Sequence, residues 1–325
     1  MLLSLVIPCY NEEGNVRRFY DAVTDCFKDL GFEYELLFID DGSRDSTFSE
    51  LRALRRTDSR VRAISFSRNF GKEAAMYAGL KESLGDLVAI IDADLQQRPE
   101  VVLKMLEEMS ADGELDCVAA YQQKRGEGRG MSFAKRGFYK LINRISEVDF
   151  VNGASDFRLM KRRMVDAVIS MSEYDRFSKG IFGYVGFNTK FIPYTAEERK
   201  VGKTKWSRRK LTRYALDGIF SFSTAPLKIS TLIGLLSALA SLIYLIAVVI
   251  QKLAFGIDVP GYATVVVLLL FLGGTELFCL GIIGEYIAKI FVQVKDRPIY
   301  VVREKLDTLP TDQEKNASEE QAKNE

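Results

Sequence analysis

The chain has no histidine among its 325 residues. That removes an imidazole base, a Ser-His-Asp triad and a His-ligated zinc. Cysteine is scarce too: Cys9, Cys26, Cys117 and Cys279 are scattered, with no Cys-x-x-Cys pair. They read as buried, reduced thiols of a cytosol-facing protein. No charge sign dominates, since 45 Lys and Arg nearly cancel 44 Asp and Glu, so nothing global argues for a nucleic-acid partner. The first strand-like run ends in Pro8-Cys-Tyr-Asn-Glu12, without the Gly-x-Gly-x-x-Gly of a dinucleotide site. Any chemistry must run on carboxylates, amides, Arg, Lys, a metal or the substrate's own groups.

What the chain does have is a β-branched run, Leu87 to Ile91, that stops at Asp92-Ala-Asp-Leu-Gln96. Such a run predicts a strand buried on both faces, with the acidic pair at its carboxyl end, the edge where open α/β sheets bind ligands. Asp92, Asp94 and the amide of Gln96 are hard oxygen donors, suited to Mg2+ or Mn2+ shared with a phosphate. Taken alone, the pattern is equally a solvated turn.

Further strands are predicted at Leu2–Pro8, Tyr34–Ile39, Val61–Phe66 and Asp116–Tyr121, with helical spacing between them. The opening run is too short for a signal-peptide core or a span. Five β-α alternations predict a parallel, doubly wound sheet. Polar clusters fall at the ends of the first four strands: Asn11-Glu12, Asp40-Asp41, Arg68-Asn69 and Asp92-Asp94. Four on one edge point to a nucleotide-type site.

Downstream, Gly126-Glu-Gly-Arg-Gly130 reads as a basic mobile loop, and 132–145 and 206–214 are basic and amphipathic, suited to a membrane surface. Ile229–Ile250 is a 22-residue run without a charge, and Tyr262–Gly284 is a 23-residue run whose one charge is Glu276. Each is long enough to cross a hydrocarbon core of about 30 Å. Basic flanks at Arg208, Arg209, Lys210, Arg213 and Lys228, and at Lys289, Lys295, Arg297 and Arg303, place both termini in the cytoplasm. Glu276 is expected to face a neighbouring helix or subunit or to carry a function, and Gly273 and Gly274 suit helix contacts within a homo-oligomer.

With these motifs in hand, the chain resembles the polyprenyl-phosphate glycosyltransferases of GT-A family 2. It is similar to bactoprenol glucosyltransferases and more distantly to dolichol-phosphate mannose synthase. The resemblance rests on Val6-Ile-Pro-Cys-Tyr-Asn-Glu-Glu13, Asp40-Asp-Gly-Ser-Arg-Asp-Ser-Thr47, Arg68-Asn-Phe-Gly-Lys72, Asp92-Ala-Asp-Leu-Gln96, Asp156-Phe-Arg158 and Gly202-Lys-Thr-Lys-Trp206. It implies an α/β, Rossmann-like nucleotide-sugar-binding domain over 1–205, an interfacial segment over 206–228, and spans over 229–250 and 262–284 about an extracytoplasmic loop, 251–261. A cytosolic juxtamembrane segment (285–307) and a disordered tail (308–325) complete it.

The resemblance implies roles as well. Pro8, Tyr10, Glu12 and Asp40 would hold the nucleoside, with Asp41, Arg68, Asn69, Lys72 and Asp92 shaping the nucleotide-sugar pocket. Asp92, Asp94 and Gln96 would hold Mg2+ or Mn2+; Asp94, Asp156 and Arg158 would serve catalysis beside the sugar. Arg125, Arg129, Lys135, Arg136, Arg199 and Lys205 are candidates for the lipid phosphate. Blander readings stay open for three: Glu12 as a helix cap, Asp156 with Arg158 as a structural ion pair, and Arg129 as a solvated loop residue.

The implied reaction is inverting transfer of a hexose, glucose foremost, from a UDP-sugar to undecaprenyl phosphate at the cytosolic face of the plasma membrane, for cell-envelope glycosylation. A lipid phosphate is largely dianionic at neutral pH and needs no strong base, which fits the missing histidine. UDP-N-acetylhexosamine is the alternative donor. A processive synthase would carry Gln-x-x-Arg-Trp, which the sequence lacks. A non-catalytic membrane-anchored binding protein is the rival of a different class.

Overall fold

The computed structural model describes residues 1–29, 31–122, 154–195, 223–255 and 261–307. The chain divides into two units: Met1–Tyr139 with Phe150–Lys205 and Arg297–Glu325, and Lys140–Asp149 with Trp206–Asp296.

Among the described residues the first unit has eight strands: β1 (Leu2–Cys9), β2 (Glu33–Asp40), β3 (Val61–Phe66), β4 (Leu87–Ile90), β5 (Cys117–Gln122), β6 (Ala154–Lys161), β7 (Thr189–Tyr194) and β8 (Val302–Leu306). They form one sheet in the order β7-β5-β6-β4-β1-β2-β3-β8. The β3-β2-β1-β4 half is parallel, as β-α alternation predicts. The expected all-parallel sheet does not continue, because β6 lies antiparallel between β4 and β5, pairing Ile90 with Arg158 and Ala119 with Arg158. This brings Asp156 to the edge that carries Asp92.

Among the described residues, the helices of this unit are α1 (Val16–Phe27), α2 (Thr47–Thr57), α3 (Lys72–Glu82), α4 (Pro99–Ala111), α5 (Arg162–Ser170) and α6 (Ser178–Tyr184). In α1 the buried Val16, Phe19, Val23 and Phe27 repeat at helical spacing, and Phe19 meets Phe38 of β2 edge-on at 6.0 Å. Helix α3 buries the small residues Ala74, Ala75, Ala78 and Gly79 along with Met76 and Leu80. A Cβ on Gly79 would come within 2.1 Å of Val6, so the small residues let α3 lie close on β1. Its first turn, Lys72-Glu73, thereby reaches the strand edge.

A second difference from the sequence reading concerns 285–307, expected as a juxtamembrane segment. Val302–Leu306 is instead the edge strand β8, antiparallel to β3. Tyr300 stacks on Phe66 with centroids 4.9 Å apart, and Ile299 and Val302 join the cluster under α3. A five-residue strand with alternating charges carries too weak a period to be read alone; its apolar partners lie over 200 residues away.

The second unit contains α7 (Ala225–Phe255) and α8 (Tyr262–Val294). Both are long and apolar enough to cross a membrane, with 18-residue stretches of mean hydropathy 2.6 within Ala225–Gln251 and 2.4 within Thr264–Val294. Helix α7 begins at Ala225, inside the segment expected to be interfacial. Tyr286 OH donates to Ser223 O at 2.7 Å, and Cys279 Sγ lies 3.7 Å from Ser230 O, tying the two helices together. Large side chains such as Leu235 and Leu270 stand exposed on the single chain, as lipid-facing residues do.

Candidate active site at the carboxyl edge of the sheet

Three loops meet where β1, β2 and β3 end. Asn11, in the left-handed region at φ 53°, donates through N to Ser43 Oγ at 2.9 Å and accepts from Arg44 N at 3.0 Å. Glu12 N donates to Thr47 Oγ1 at 2.8 Å, and Ser46 N to Glu13 Oε2 at 2.9 Å. The Glu12 side chain accepts from Asn15 Nδ2 at 2.6 Å, and its carbonyl from Asn15 N and Val16 N, so part of its task is to start α1. Pro8 and Tyr10 are half-buried beside it.

Asp40 and Asp41 are both buried. Asp40 accepts from Ser43 N at 3.0 Å and Ser65 Oγ at 2.7 Å, so contact with a ligand requires one of these bonds to share or yield. Asp41 accepts from Phe70 N at 2.6 Å and Gly71 N at 2.9 Å, clamping the turn that leads into α3. Burial lifts its pKa to about 6 despite these two donors. Between the loops, Gly42 (φ +65°) lies against Arg68, where a Cβ would come within 2.4 Å of the carbonyl carbon. Arg68 and Asn69 are exposed on this turn, with the Arg68 guanidinium 3.9 Å over the Phe70 ring.

The β4 end is organised by charge. Lys72 Nζ lies 2.6 Å from Asp92 Oδ1 and 3.5 Å from Asp156 Oδ2. Desolvation in the cleft opposes the ammonium of this partly exposed side chain, but Asp92 and Asp156 outweigh it and raise its pKa, so Lys72 is a fixed cation. Burial also opposes the Asp156 carboxylate, and Lys72, Lys179 and Arg158 outweigh it, holding its pKa below the ordinary range. Its Oδ1 is buried without a hydrogen-bond partner. Arg158 is not a surface residue: it is 4% exposed, its guanidinium 3.5 Å over Phe182 and donating to Ser155 O at 3.1 Å.

Asp94 Oδ1 accepts from Gln96 N at 3.1 Å across Leu95, a branched residue held at φ 57°. A strained turn of this kind is a marker of function. The donor set fits a hard divalent cation: Asp92 and Asp94 supply carboxylate oxygens, with Gln96 half-buried between them and Gln97. The nearby Cys9 thiol is unsuited, since burial, then Glu12 and Asp40, push its pKa well up. Among the described residues no three His, Cys, Asp or Glu converge, so a metal here needs oxygens from a substrate or water.

Sequence reasoning missed three participants. Gln97, not Gln96, braces Asp92: Asp92 N donates to Gln97 Oε1 at 2.9 Å and Gln97 Nε2 to Asp92 Oδ2 at 3.1 Å. Two adjacent glutamines after the acidic pair were the available signal. Glu73 accepts from Ser178 N at 3.0 Å and from the Ser178 hydroxyl, joining α3 to α6. Burial and then Asp156 raise its pKa to about 7. The third is Arg303 of β8, which donates to Ser65 Oγ at 2.9 Å. Arg125, Arg129, Lys135, Arg136, Arg199 and Lys205 lie outside the described residues.

Residues 4–169 match the model of glycosyl transferase family 2, and residues 225–290 match the GtrB C-terminal hairpin. The putative glycosyltransferase CsbB of Bacillus subtilis (strain 168) is 44% identical over 303 residues, 93% of this chain and 92% of the relative. The SfII prophage-derived bactoprenol glucosyl transferase of Shigella flexneri is 41% identical over 303 residues, 93% of this chain and 98% of the relative. Among solved structures, mannosyl-3-phosphoglycerate synthase from Rubrobacter xylanophilus aligns at 19% identity and a TM-score of 0.46, over 67% of this chain and 72% of its own. With its polar strand ends gathered on one edge, a matching family model over that whole region and close relatives end to end, the chain belongs to glycosyl transferase family 2, with a GT-A domain followed by a GtrB C-terminal hairpin.

Proposed function

We propose that the protein transfers glucose from UDP-glucose to undecaprenyl phosphate at the cytosolic face of the membrane, with inversion at the anomeric carbon. The supporting relatives are bactoprenol glucosyl transferases similar over almost the whole chain. The observation that carries the chemistry is the Lys72–Asp92–Asp156 cluster beside the nucleotide-type loops, with one Asp156 oxygen left without a partner.

The geometry supports the following division of labour. The stitched Asn11–Glu13 and Ser43–Thr47 loops, with Pro8 and Tyr10, form the nucleoside half; Asp40 and Asp41 hold its shape from below. A bound Mg2+ or Mn2+, held by Asp92 and Asp94 with Gln96 alongside, would act as Lewis acid on the departing diphosphate. Lys72 keeps Asp92 and Asp156 in register and adds a permanent positive charge where diphosphate charge grows. Asp156, kept ionised, accepts a sugar hydroxyl through its unpartnered oxygen and orients the anomeric carbon. The incoming lipid phosphate is its own nucleophile, so no residue need act as strong base. Its charge is taken by the basic set Arg125, Arg129, Lys135, Arg136, Arg199 and Lys205. The two apolar helices hold this domain at the membrane, with both termini cytoplasmic.

The test is Asp94→Asn in the full-length protein, assayed with labelled UDP-glucose and undecaprenyl phosphate in liposomes. Metal-dependent transfer is expected to vanish while UDP-glucose hydrolysis without acceptor stays at background. A fully active variant overturns the reading.

A further inference from the structure

Strand β8 follows the second apolar helix in the chain and closes the β3 edge of the sheet. From it Arg303 donates through Nη2 to Ser65 Oγ at 2.9 Å, and Ser65 Oγ donates to Asp40 Oδ2 at 2.7 Å. A serine hydroxyl has one proton, and a guanidinium can only donate. Arg303 therefore occupies a Ser65 lone pair and leaves the hydroxyl proton committed to Asp40. The other Asp40 oxygen accepts from Ser43 N at 3.0 Å, and Ser43 Oγ accepts from Asn11 N at 2.9 Å. One hydrogen-bonded line thus runs from β8 into both nucleotide-type loops.

We propose that Arg303 is a positioning residue for the nucleotide half of the site: by orienting Ser65 it fixes Asp40 and, through Asp40, the Ser43–Thr47 and Asn11–Glu13 loops, so that binding of a nucleoside-diphosphate sugar depends on the strand that follows the membrane helices. The inference rests on the reading of this edge as a nucleotide-sugar site. It gives β8 a role beyond closing a sheet edge. The other polar ties of this strand, Arg52 to Glu304 at 2.8 Å and Lys305 to Glu82 at 2.8 Å, lie at the surface and reach neither Ser65 nor Asp40. Surface pairs of that kind contribute little by themselves. Only Arg303 joins the strand to a buried carboxylate of the site.

Arg303 is exposed, so its replacement is compatible with folding. Methionine keeps the apolar stem beside Phe48, over whose ring the guanidinium stands at 6.0 Å. The experiment compares wild type, Arg303→Met, Ser65→Ala, the double variant and the control Arg52→Met, all as full-length protein in detergent. UDP-glucose affinity is measured by calorimetry, and steady-state transfer to undecaprenyl phosphate is followed alongside. Arg303→Met is expected to weaken UDP-glucose binding about three- to tenfold, the worth of one hydrogen bond. The KM for the lipid and the thermal midpoint should not move. Ser65→Ala should weaken UDP-glucose binding at least as much and, because buried Asp40 loses a donor, also lower the thermal midpoint; the double variant should bind no worse than Ser65→Ala, and Arg52→Met should bind as wild type. Wild-type affinity in Arg303→Met overturns the inference alone, as do multiplying effects of the two substitutions or an equal loss in Arg52→Met. A wild-type protein that binds no UDP-glucose overturns the functional reading and the inference together.

Discussion

The two halves of the strand edge are built in opposite ways. At the β2 end every carboxylate oxygen of Asp40 and Asp41 accepts an internal hydrogen bond. At the β4–β6 end Asp92 and Asp156 share Lys72, Glu73 crowds Asp156, and Asp156 Oδ1 has no partner. Of the five buried side-chain atoms without a partner among the described residues, Asp156 Oδ1 and Arg158 Nε belong to this end, and Arg176 Nε belongs to a side chain stacked 4.3 Å over Tyr77 of α3. Native interiors pair nearly all such groups, so the exceptions are informative. On the proposed reading, the first half, complete without a ligand, would be preorganised for the nucleoside, and the second would be completed by sugar, diphosphate and cation, which is where a transferase needs charge that responds to the reacting atoms.

That contrast can be broken at its sharpest point by Asp156→Asn. The turnover of glucose transfer is expected to fall about 10²- to 10³-fold, the usual effect of removing one electrostatic contact to a transition state. The thermal midpoint should fall modestly, because the cations that hold Asp156 ionised outweigh its like-charge contact with Glu73. A variant that loses stability and keeps turnover would make Asp156 a structural residue.

The opposite balance is expected at the finished end. Asp41→Ala strips the acceptors from Phe70 N and Gly71 N. Two unpaired amides cost about 2–4 kcal/mol together, less whatever water recovers. Chemical denaturation of the full-length protein in detergent should show that loss. UDP-glucose affinity should fall with it, since the Arg68–Gly71 turn is released. Unchanged stability would mean the turn is held elsewhere.

The same contrast explains what could be read from the sequence. Strands β1 to β4 and the polar residues at their ends were legible because each is a local pattern: an apolar run, then a turn of charged residues. The two apolar helices were legible for the same reason. Strand β6 between β4 and β5 was not, because Ala154–Lys161 does not announce which strands it joins. Nor was β8, whose partner β3 is remote in the chain. Within the site, Asp92 stood out as the end of a strand, but the choice between Gln96 and Gln97 turned on the left-handed Leu95 between Asp94 and the two amides. Glu73 was invisible because its meaning comes from Ser178 and Asp156, both on elements placed beside it only by the fold.

Glu73 also offers the mildest way to sharpen the comparison, through pH. Its pKa stands near 4.5 in an unfolded chain and about 7 in the folded one, because burial and then Asp156 disfavour its charge. Between those values the folded protein binds more protons than the unfolded, so stability falls as pH rises through the window. The contribution is present in full below pH 4.5 and gone above about 7. Asp41, raised to about 6, has the same sign and remains in both proteins, so it cancels when wild type is compared with Glu73→Gln. Glutamine does not titrate and still accepts from Ser178. The wild-type midpoint should therefore decline more between pH 5 and 7.5 than that of Glu73→Gln, by some fraction of the limiting slope of about 1.4 kcal/mol per pH unit. Parallel curves would show that Glu73 is charged throughout, in which case the crowding of the β4–β6 end is already relieved by Lys72 and the contrast between the two halves is one of hydrogen bonding alone.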